Sequence, residues 1–237
     1  MRLDGSHTRF DGRPARGGFQ GFRGLRERRR AEWEARWSSA DFDPPWGGRG
    51  VPGEVEEAIQ SGWHPASGRM LDVGCGEGDL VDWFSGHGYQ GVGIDIAGVV
   101  ISKARARHDR SGGPRFATVD ICSAVPPGGP FDVIVDRGCL HGIPRRLVPC
   151  YVANLAAACH AGTRMFLFMR IRRRQGRFWR LSVVRTLELW LQRRRVARDF
   201  RGLFAVQGDS MTDLGGPSAC EAMPGVVYRL ARKPVHG

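Results

Sequence analysis

A glycine-rich turn at residues 72–79 is the stretch of this 237-residue chain best suited to ligand chemistry. Gly74, Gly76 and Gly78 occupy alternate positions between two apolar runs. This pattern predicts a buried strand, a tight turn and a helix whose first N–H groups face a ligand. Glycine at 74 and 76 lets the backbone approach that ligand where a Cβ would collide. Asp79 stands where the dinucleotide fingerprint has its third glycine, which argues against that fingerprint.

A second candidate is Asp95, which stands 21 residues after Gly74 near the end of the apolar run 91–96. A carboxylate at the end of the second strand can accept hydrogen bonds from both hydroxyls of a ribose. NAD enzymes share this spacing, so Asp95 and its neighbour Ile96 predict a nucleoside-type ligand without choosing which one. A strand-end aspartate without a ligand is the alternative interpretation.

A third group of candidates follows the continuous apolar run 131–136, which is typical of a central parallel strand. Ligands of doubly wound folds bind beyond the carboxyl ends of the strands, so residues 137–144, which include Arg137 and His141, should face the reacting groups. The ordinary pKa of an imidazole, about 6.5, suits His141 to the role of a general base. The planar guanidinium of Arg137 suits it to orienting a carboxylate.

The elements that must position these residues alternate between strand and helix. Apolar runs predict strands at 70–73, 91–96, 114–120, 131–136, 163–169, 203–209 and 226–231. Three-to-four spacing predicts helices at 25–38, 52–61, 97–107 and 148–161, and another within 170–202. In the first helix, Leu25, Arg29, Trp33 and Trp37 share one face. Such alternation predicts an α/β fold with a mostly parallel sheet.

The form Asp72-x-Gly74-x-Gly76-x-Gly78 resembles motif I of class I S-adenosylmethionine (SAM) methyltransferases. The resemblance implies a Rossmann-like class I fold, in which a seven-stranded, mostly parallel sheet carries helices on both faces. It implies SAM as the cofactor and S-adenosylhomocysteine as the product. Asp120 then matches the place where class I enzymes put an acid near the adenine amine. The implied cofactor residues on the strand ends are Asp72, Gly74, Cys75, Gly76, Asp95, Ile96, Asp120, Ile121, Asp136 and Arg137.

Motifs between Trp33 and Met169 further resemble the thiopurine S-methyltransferase-like branch. They are Trp33-Glu34-Ala35-Arg36-Trp37, Pro44-Pro45-Trp46, the glycine turn, and Asp136-Arg137-Gly138-x-Leu140-x-x-Ile143 followed by Arg146 and Tyr151. In that branch a tryptophan after proline lies over the cofactor, so Trp46 and Trp37 are expected there. The branch also implies an acceptor near His141 and Arg137, the expected catalytic residues. The sequence departs from the branch at Ala161-Gly162, where Pro-Gly-Gly is common.

Positive charge is concentrated in two segments. Residues 1–30 hold nine Arg and three acids (+6), and residues 170–201 hold twelve Arg and two acids (+10). The net charge is +12, so the remainder carries 12 − 16 = −4. We therefore expect a flexible Arg/Gly-rich tail at 1–24 and a single methyltransferase domain at 25–237. Within that domain we expect an N-terminal helical cap at 25–64 and a basic helical insertion at 170–202.

Cysteine usage and hydropathy indicate the compartment. The six cysteines lack a CxxC pair and zinc-ligand spacing, which predicts reduced thiols and no metal site. The chain has no apolar run of about 18 residues and no signal-peptide core, so we expect a cytoplasmic protein without a membrane span.

Three functions stay open at this point. The first is methyl transfer to an S, O or N atom of a small-molecule acceptor. The second is methylation of a nucleic acid (RNA), with the basic tail and helix binding phosphates. Against it, no Asn/Asp-Pro-Pro-aromatic tetrad follows the fourth strand. The third is a SAM-binding member that does not methylate, such as a cyclase. The acceptor and the oligomeric state, monomer or dimer, stay undetermined.

Overall fold

The structure, a computed structural model, describes residues 22–47, 50–171, 182–215 and 223–234. Much of the predicted tail (1–21) and part of the predicted basic insertion (172–181) lie outside these described residues.

Seven strands form one sheet. In chain order they are β1 (Gly68–Val73), β2 (Tyr89–Asp95), β3 (Arg115–Thr118), β4 (Phe131–Arg137), β5 (Cys159–Arg170), β6 (Phe204–Asp213) and β7 (Pro224–Arg232). The spatial order is β3-β2-β1-β4-β5-β7-β6. The first five strands pair in parallel, and β7 runs antiparallel to both β5 and β6. The predicted α/β, Rossmann-like architecture is confirmed.

Six α-helices accompany the sheet within the described part of the chain. They are α1 (Arg23–Ser38), α2 (Gly53–Gln60), α3 (Asp79–Gly86), α4 (Gly98–Arg107), α5 (Val148–Ala157) and α6 (Ser182–Phe200). The loop after β4 contains two short 3-10 turns, Leu140–Gly142 and Arg145–Leu147.

The core lies on both faces of the sheet, which explains the continuous apolar runs. In β4, Ile134 joins the cluster that contains Leu147, Tyr151 and Phe200, on the side of α5 and α6. Its neighbours Val133 and Val135 join the opposite cluster, which includes residues of α2 and α3. A strand covered on both faces cannot alternate between apolar and polar residues.

Several predicted boundaries are wrong. The helix predicted at 148–161 ends at Ala157, because Cys159 already pairs with Phe131 at the start of β5. The carbonyl of Ala158 accepts the Phe131 N–H at 2.9 Å, which commits this segment to the sheet. Strands β6 and β7 extend to Asp213 and back to Pro224, so the connection predicted as a loop at 210–224 is shorter.

Candidate functional site

The glycine turn joins β1 to α3 and packs tightly against its neighbours. Gly74 has φ +78°, and a Cβ there would lie 2.9 Å from the Cβ of Cys139 in the loop after β4. Gly76 has φ +54°, and its Cβ would lie 3.5 Å from the Trp37 ring. Both positions therefore require the left-handed backbone that glycine adopts without strain.

The N–H groups of the turn that precede α3 have backbone partners. The N–H groups of Gly74 and Cys75 both donate to the carbonyl of Ile94, at 2.8 and 3.0 Å. The N–H of Gly78 donates to Cys75 O at 3.0 Å. These hydrogen bonds attach the turn to the carboxyl end of β2, and its glycines let the backbone pack closely against neighbouring residues.

Asp95 links the glycine turn to the start of α4. Its Oδ1 accepts the Ala97 N–H at 3.0 Å, and its Oδ2 accepts the Gly76 N–H at 3.3 Å. Burial raises the pKa of Asp95, and these two N–H groups oppose that shift by stabilising the charged form. The carboxylate is therefore fixed in orientation while it lines the main cavity.

Asp136 is fully buried and organises the loop that follows β4. Its Oδ1 accepts the N–H groups of Gly138 (2.9 Å) and Cys139 (2.7 Å). Its Oδ2 accepts the Leu140 N–H at 3.0 Å and the Tyr151 hydroxyl at 2.6 Å. Burial raises its pKa to about 6, against the opposing effect of these four donors. Asp136 was predicted to contact the cofactor; it is not among the residues that line the two cavities next to the glycine turn, and its hydrogen bonds position the loop.

A cavity of about 280 Å³ lies beyond the carboxyl ends of β1, β2 and β4. A smaller cavity of about 80 Å³ adjoins it and shares five lining residues with it. The predicted site residues that line the larger one are Trp37, Trp46, Gly74, Gly76, Asp95, Ile96, Asp120, Ile121, Arg137 and His141. Asp72 and Cys75 line the smaller one. The structure therefore brings every predicted site residue except Asp136 to one connected space.

Asp72 and Arg137 both line the smaller cavity, so a carboxyl group and a guanidinium group border the same space. Asp72 is buried, and its pKa is raised to about 8 by burial, with the nearby Asp136 adding to the shift and Arg137 opposing it. Burial also raises the pKa of the Cys75 thiol well above its ordinary value, so this cysteine is a neutral wall residue. An ammonium group and a carboxylate on one ligand would suit this pair of side chains.

Helix α1 covers the cavity with Arg29, Trp33, Arg36 and Trp37. It is anchored to α4 because Glu34 accepts the N–H groups of Gly98 at 2.7 Å and Val99 at 3.1 Å. A carboxylate at a helix N-terminus satisfies free N–H groups and interacts favourably with the helix dipole. The face predicted from four-residue spacing is the face that covers the cavity.

Asp120 faces two arginines in the first half of α1. Arg26 Nε is 3.8 Å from its Oδ2, and Arg29 Nη1 is 3.7 Å from its Oδ1. Arg29 is 8% exposed, and its Nε and Nη1 have no hydrogen-bond partner in the described structure. These ion pairs are too long to be hydrogen bonds, so Arg29 Nε and Nη1 are buried without a hydrogen bond to any described residue.

Sequence reasoning missed several residues that line the larger cavity. They are Arg29, Arg36, Val73, Ile94, Val119, Arg170, Leu214 and Met223, and the position of Trp33 was left open between packing and function. One signal was present for Arg29: it is the charged member of the otherwise apolar row that contains Leu25, Trp33 and Trp37. Leu214 follows β6 and Met223 precedes β7, and the approach of these two residues to the site depends on the complete fold.

Two features are absent from the described ranges. No cluster of three or more His, Cys, Asp or Glu side chains suited to a metal ion occurs there. No helix in those ranges is long and apolar enough to cross a membrane.

Comparison with known proteins identifies the family. Residues 49–204, about two thirds of the chain, match the family model described as a methyltransferase domain. An uncharacterised methyltransferase of Schizosaccharomyces pombe is 30% identical over 54% of this chain and 90% of its own length. The 2-heptyl-1-hydroxyquinolin-4(1H)-one methyltransferase of Mycobacteroides abscessus is 30% identical over 50% of this chain and 52% of its own.

Solved structures show the same fold. A structure from work on the conversion of a disulfide bond into a thioacetal group during echinomycin biosynthesis superposes with a TM-score of 0.69. It is 18% identical and covers 86% of this chain and 92% of its own. The N-methyltransferase NodS of Bradyrhizobium japonicum, solved with S-adenosylhomocysteine, has a TM-score of 0.58 and 17% identity over 86% of this chain and 98% of its own.

The family match, the strand order and the cavity residues support one identification. The glycine turn, the ribose-suited Asp95 and the opposed Asp72 and Arg137 fit the nucleoside and amino-acid ends of SAM. The chain belongs to the methyltransferase-domain family, and it is a class I, SAM-dependent methyltransferase.

Proposed function

We propose that this enzyme methylates an S, O or N atom of a small-molecule acceptor bound in the 280 Å³ cavity. The observation that carries the proposal is the position of His141 and Arg137, which line the same enclosed space as Asp95 and the glycine turn. A site that is covered by α1 suits a small molecule better than a polymer. The acceptor named for the Mycobacteroides relative, a hydroxyquinolinone, is also a small molecule.

We assign the cofactor contacts by chemistry. Asp95 would accept hydrogen bonds from the ribose hydroxyls, and Asp120 with Ile96 and Ile121 would surround the adenine. Asp72 would face the ammonium group, and Arg137 the carboxylate. Trp37 and Trp46, which line both cavities, would cover the cofactor. SAM supplies an activated methyl group on sulfur, so the protein's contribution is mainly positioning and exclusion of water.

We assign His141 as the general base for an acceptor that carries a proton. It lies in the 3-10 turn Leu140–Gly142, which Asp136 fixes through the N–H groups of Cys139 and Leu140. The His141 residue is exposed, so its imidazole can pass a proton to solvent. Arg137, one residue after Asp136, would orient the acceptor or the cofactor carboxylate through its planar guanidinium.

Replacing His141 with Gln tests this assignment. We expect SAM affinity within a few-fold of wild type and a methylation rate lower by ~10²-fold, the usual scale for loss of a general base. S-adenosylhomocysteine release with a panel of thiol, phenol and amine acceptors measures the rate. Higher pH should partly restore the rate for acceptors that ionise by themselves.

A matched control is His87→Gln, because His87 stacks on Trp83 at a ring distance of 3.9 Å and does not line the cavities. Its turnover should equal that of wild type. Normal turnover by a folded His141→Gln enzyme would rule out the base assignment. Release of S-adenosylhomocysteine with none of the acceptors, despite SAM binding, would favour the non-methylating alternative.

A further inference from the structure

We infer that Arg29 determines which base the cofactor site accepts: its guanidinium donates a hydrogen bond to the adenine ring nitrogen beside the exocyclic amine. This inference rests on the cofactor contacts proposed above. Arg29 lies in the first half of α1 and lines the larger cavity. Its burial, its unused donors and its position beside Asp120 together carry the inference.

Arg29 is a buried cation with unused hydrogen-bond donors. The residue is 8% exposed, and its Nε and Nη1 have no hydrogen-bond partner among the described residues. Arg36, on the same helix, differs because its side chain is 47% exposed and pairs with Glu32 at 2.7 Å. A guanidinium group removed from water loses the hydrogen bonds that water made, which is unfavourable unless other acceptors replace them. A bound molecule that offers an acceptor would therefore stabilise Arg29.

Neighbouring groups locate the guanidinium between two loops of the site. Its Nη1 lies 3.7 Å from Oδ1 of Asp120, in the loop after β3. Burial raises the pKa of the Cys122 and Cys139 thiols, and the positive charge of Arg29 opposes both shifts. Cys122 lies in the loop after β3 and Cys139 in the loop after β4. Arg29 therefore reaches the carboxyl edge of the sheet from the side of the cover.

The base is the part of the cofactor that this position suits. The proposed contacts give the ribose to Asp95 and the amino-acid group to Asp72 and Arg137, so the adenine lies near Asp120. Adenine is uncharged, and its ring acceptors are N1, N3 and N7. N1 and N7 flank the amine, whereas N3 lies on the far side of the ring system. If Asp120 accepts the amine, a donor 3.7 Å from that carboxylate lies beside N1 or N7.

Asp120 and Arg29 then present an acceptor next to a donor. This arrangement complements the amine and the adjacent ring nitrogen of adenine. A base that lacks either partner leaves a buried polar group unpaired, and such a site rejects that base. A purely structural Arg29 would act differently: it would hold α1 near Asp120, and its loss would loosen the cover equally for every base.

S-adenosylhomocysteine and its 1-deaza, 3-deaza and 7-deaza analogues separate these two roles. Each analogue replaces one ring nitrogen with CH, and each is titrated calorimetrically into the wild type and Arg29→Met. We expect the wild type to bind the 1-deaza or the 7-deaza analogue at least ~10-fold more weakly than the parent, the scale of one charge-assisted hydrogen bond. Arg29→Met should abolish that loss. The 3-deaza analogue should keep the same affinity relative to the parent in both proteins.

The matched control is Arg26→Met. Arg26 Nε lies 3.8 Å from Oδ2 of Asp120, and Arg26 is not among the residues that line the cavity. This variant should change the affinities for the parent and the analogues by one common factor. Arg29→Lys keeps the positive charge beside Asp120, so it tests the inference if Arg29→Met fails to fold. Because its single ammonium replaces the planar guanidinium, the loss for the critical analogue should be smaller than in the wild type.

Equal weakening of the parent and all three analogues by Arg29→Met would overturn the inference and assign Arg29 a structural role. Wild-type affinity ratios in Arg29→Lys would overturn it as well. If the wild type does not bind S-adenosylhomocysteine, the proposed cofactor contacts fail together with the inference. Turnover does not enter the measurement, so failure of the small-molecule acceptor or of His141 as the base would leave these affinity ratios unchanged.

Discussion

Asp72 and Asp136 are buried carboxylates on neighbouring strands, and their surroundings give them different roles. Asp136 accepts hydrogen bonds from three backbone N–H groups and one hydroxyl, all within the protein. Asp72 lines the smaller cavity, and its pKa is raised to about 8. A raised pKa in a cavity marks a group that is poorly solvated until a ligand arrives.

The pH dependence of the free energy of unfolding tests the protonation state of Asp72. The ordinary pKa of aspartate is about 3.9, and the folded value is about 8. The folded state therefore binds the proton more tightly, and Asp72 costs the protein stability as pH rises from about 4 to about 8. Asp72→Asn should raise the melting temperature of the ligand-free protein at pH 8 and have a much smaller effect at pH 5.

The same variant should bind SAM more weakly, because an amide cannot pair with the ammonium group. Binding to the wild type below pH 8 should release a proton, seen as a calorimetric enthalpy that depends on the buffer's ionisation enthalpy. A variant that melts lower than wild type at pH 8 would show that the carboxylate is ionised and stabilising in the free protein.

Asp95 provides the second test at this scale. Asp95→Ala should weaken SAM binding by about 2 kcal/mol or more, because hydrogen bonds from the ribose to a charged acceptor are lost. Calorimetry with SAM measures the change, and thermal melts check that the glycine turn survives. Asp109→Ala, an exposed change beyond the end of α4, should bind SAM as the wild type does. Unchanged affinity in Asp95→Ala would remove this residue from the site.

The cavity residues on strand ends could be predicted from the sequence because parallel strands end at one edge. Asp95, Arg137 and His141 were found in this way. The role of Asp136 could not be predicted, because its hydroxyl partner, Tyr151, lies 15 residues away in α5. Arg29 was missed because it reaches the cavity only where α1 crosses the strand ends, and no local sequence pattern shows that crossing.

At the scale of elements, the cover of the cavity depends on how α1 is held. Glu34 fixes the middle of α1 to the N-terminus of α4. Lys103 donates to the carbonyl of Trp37 at 2.8 Å, which adds a second attachment to the same helix. Neither Glu34 nor Lys103 lines the cavities, so their effect on SAM would be indirect.

Replacing Glu34 with Ala should therefore weaken SAM binding without removing a direct contact. Two hydrogen bonds between a carboxylate and a helix N-terminus are lost, so we expect about 10-fold lower affinity. Trp33 and Trp37 of the cover should become more accessible, so an aqueous quencher should reduce their fluorescence more strongly. Glu27→Ala removes an exposed pair with Arg23 on the same helix and should change neither quantity. Wild-type affinity in Glu34→Ala would show that α1 is held by packing alone.

The types and order of the elements could be predicted because each has a clear apolar period. Boundaries were less certain where long-range pairing decides them. Helix α5 ends at Ala157 because Cys159 pairs with Phe131, a partner 28 residues earlier. Strand β6 continues through the polar residues Ser210 and Thr212 because β7 supplies its partners Val227 and Gly225. The sequence has no apolar run there that would predict this extension of β6.

At the scale of the whole molecule, we propose that one domain carries both the cofactor and acceptor sites. Both cavities are lined by Arg137, and the elements around them share a single sheet. The two basic segments contribute Arg29 and Arg170 to the larger cavity. Exposed arginines of α6 such as Arg194 and Arg195 do not line the cavities. Retention on heparin at increasing salt would test the nucleic-acid alternative for these segments.

The N-terminal boundary of that domain gives the last prediction. The sequence suggests that residues 1–24 can be removed, but α1 begins at Arg23, and Phe22 and Leu25 pack against the main core cluster. Deleting 1–21 should therefore leave the melting temperature and SAM affinity close to those of the full chain. Deleting 1–25 should lower both, because the first turn of α1 and its apolar anchors are lost next to Arg26 and Asp120. Melting curves and SAM calorimetry on the two truncated proteins test this prediction. Loss of SAM binding after deletion of 1–21 would place these residues within the functional domain. Unchanged melting temperature and SAM affinity after deletion of 1–25 would show that the start of α1 contributes nothing to the cover.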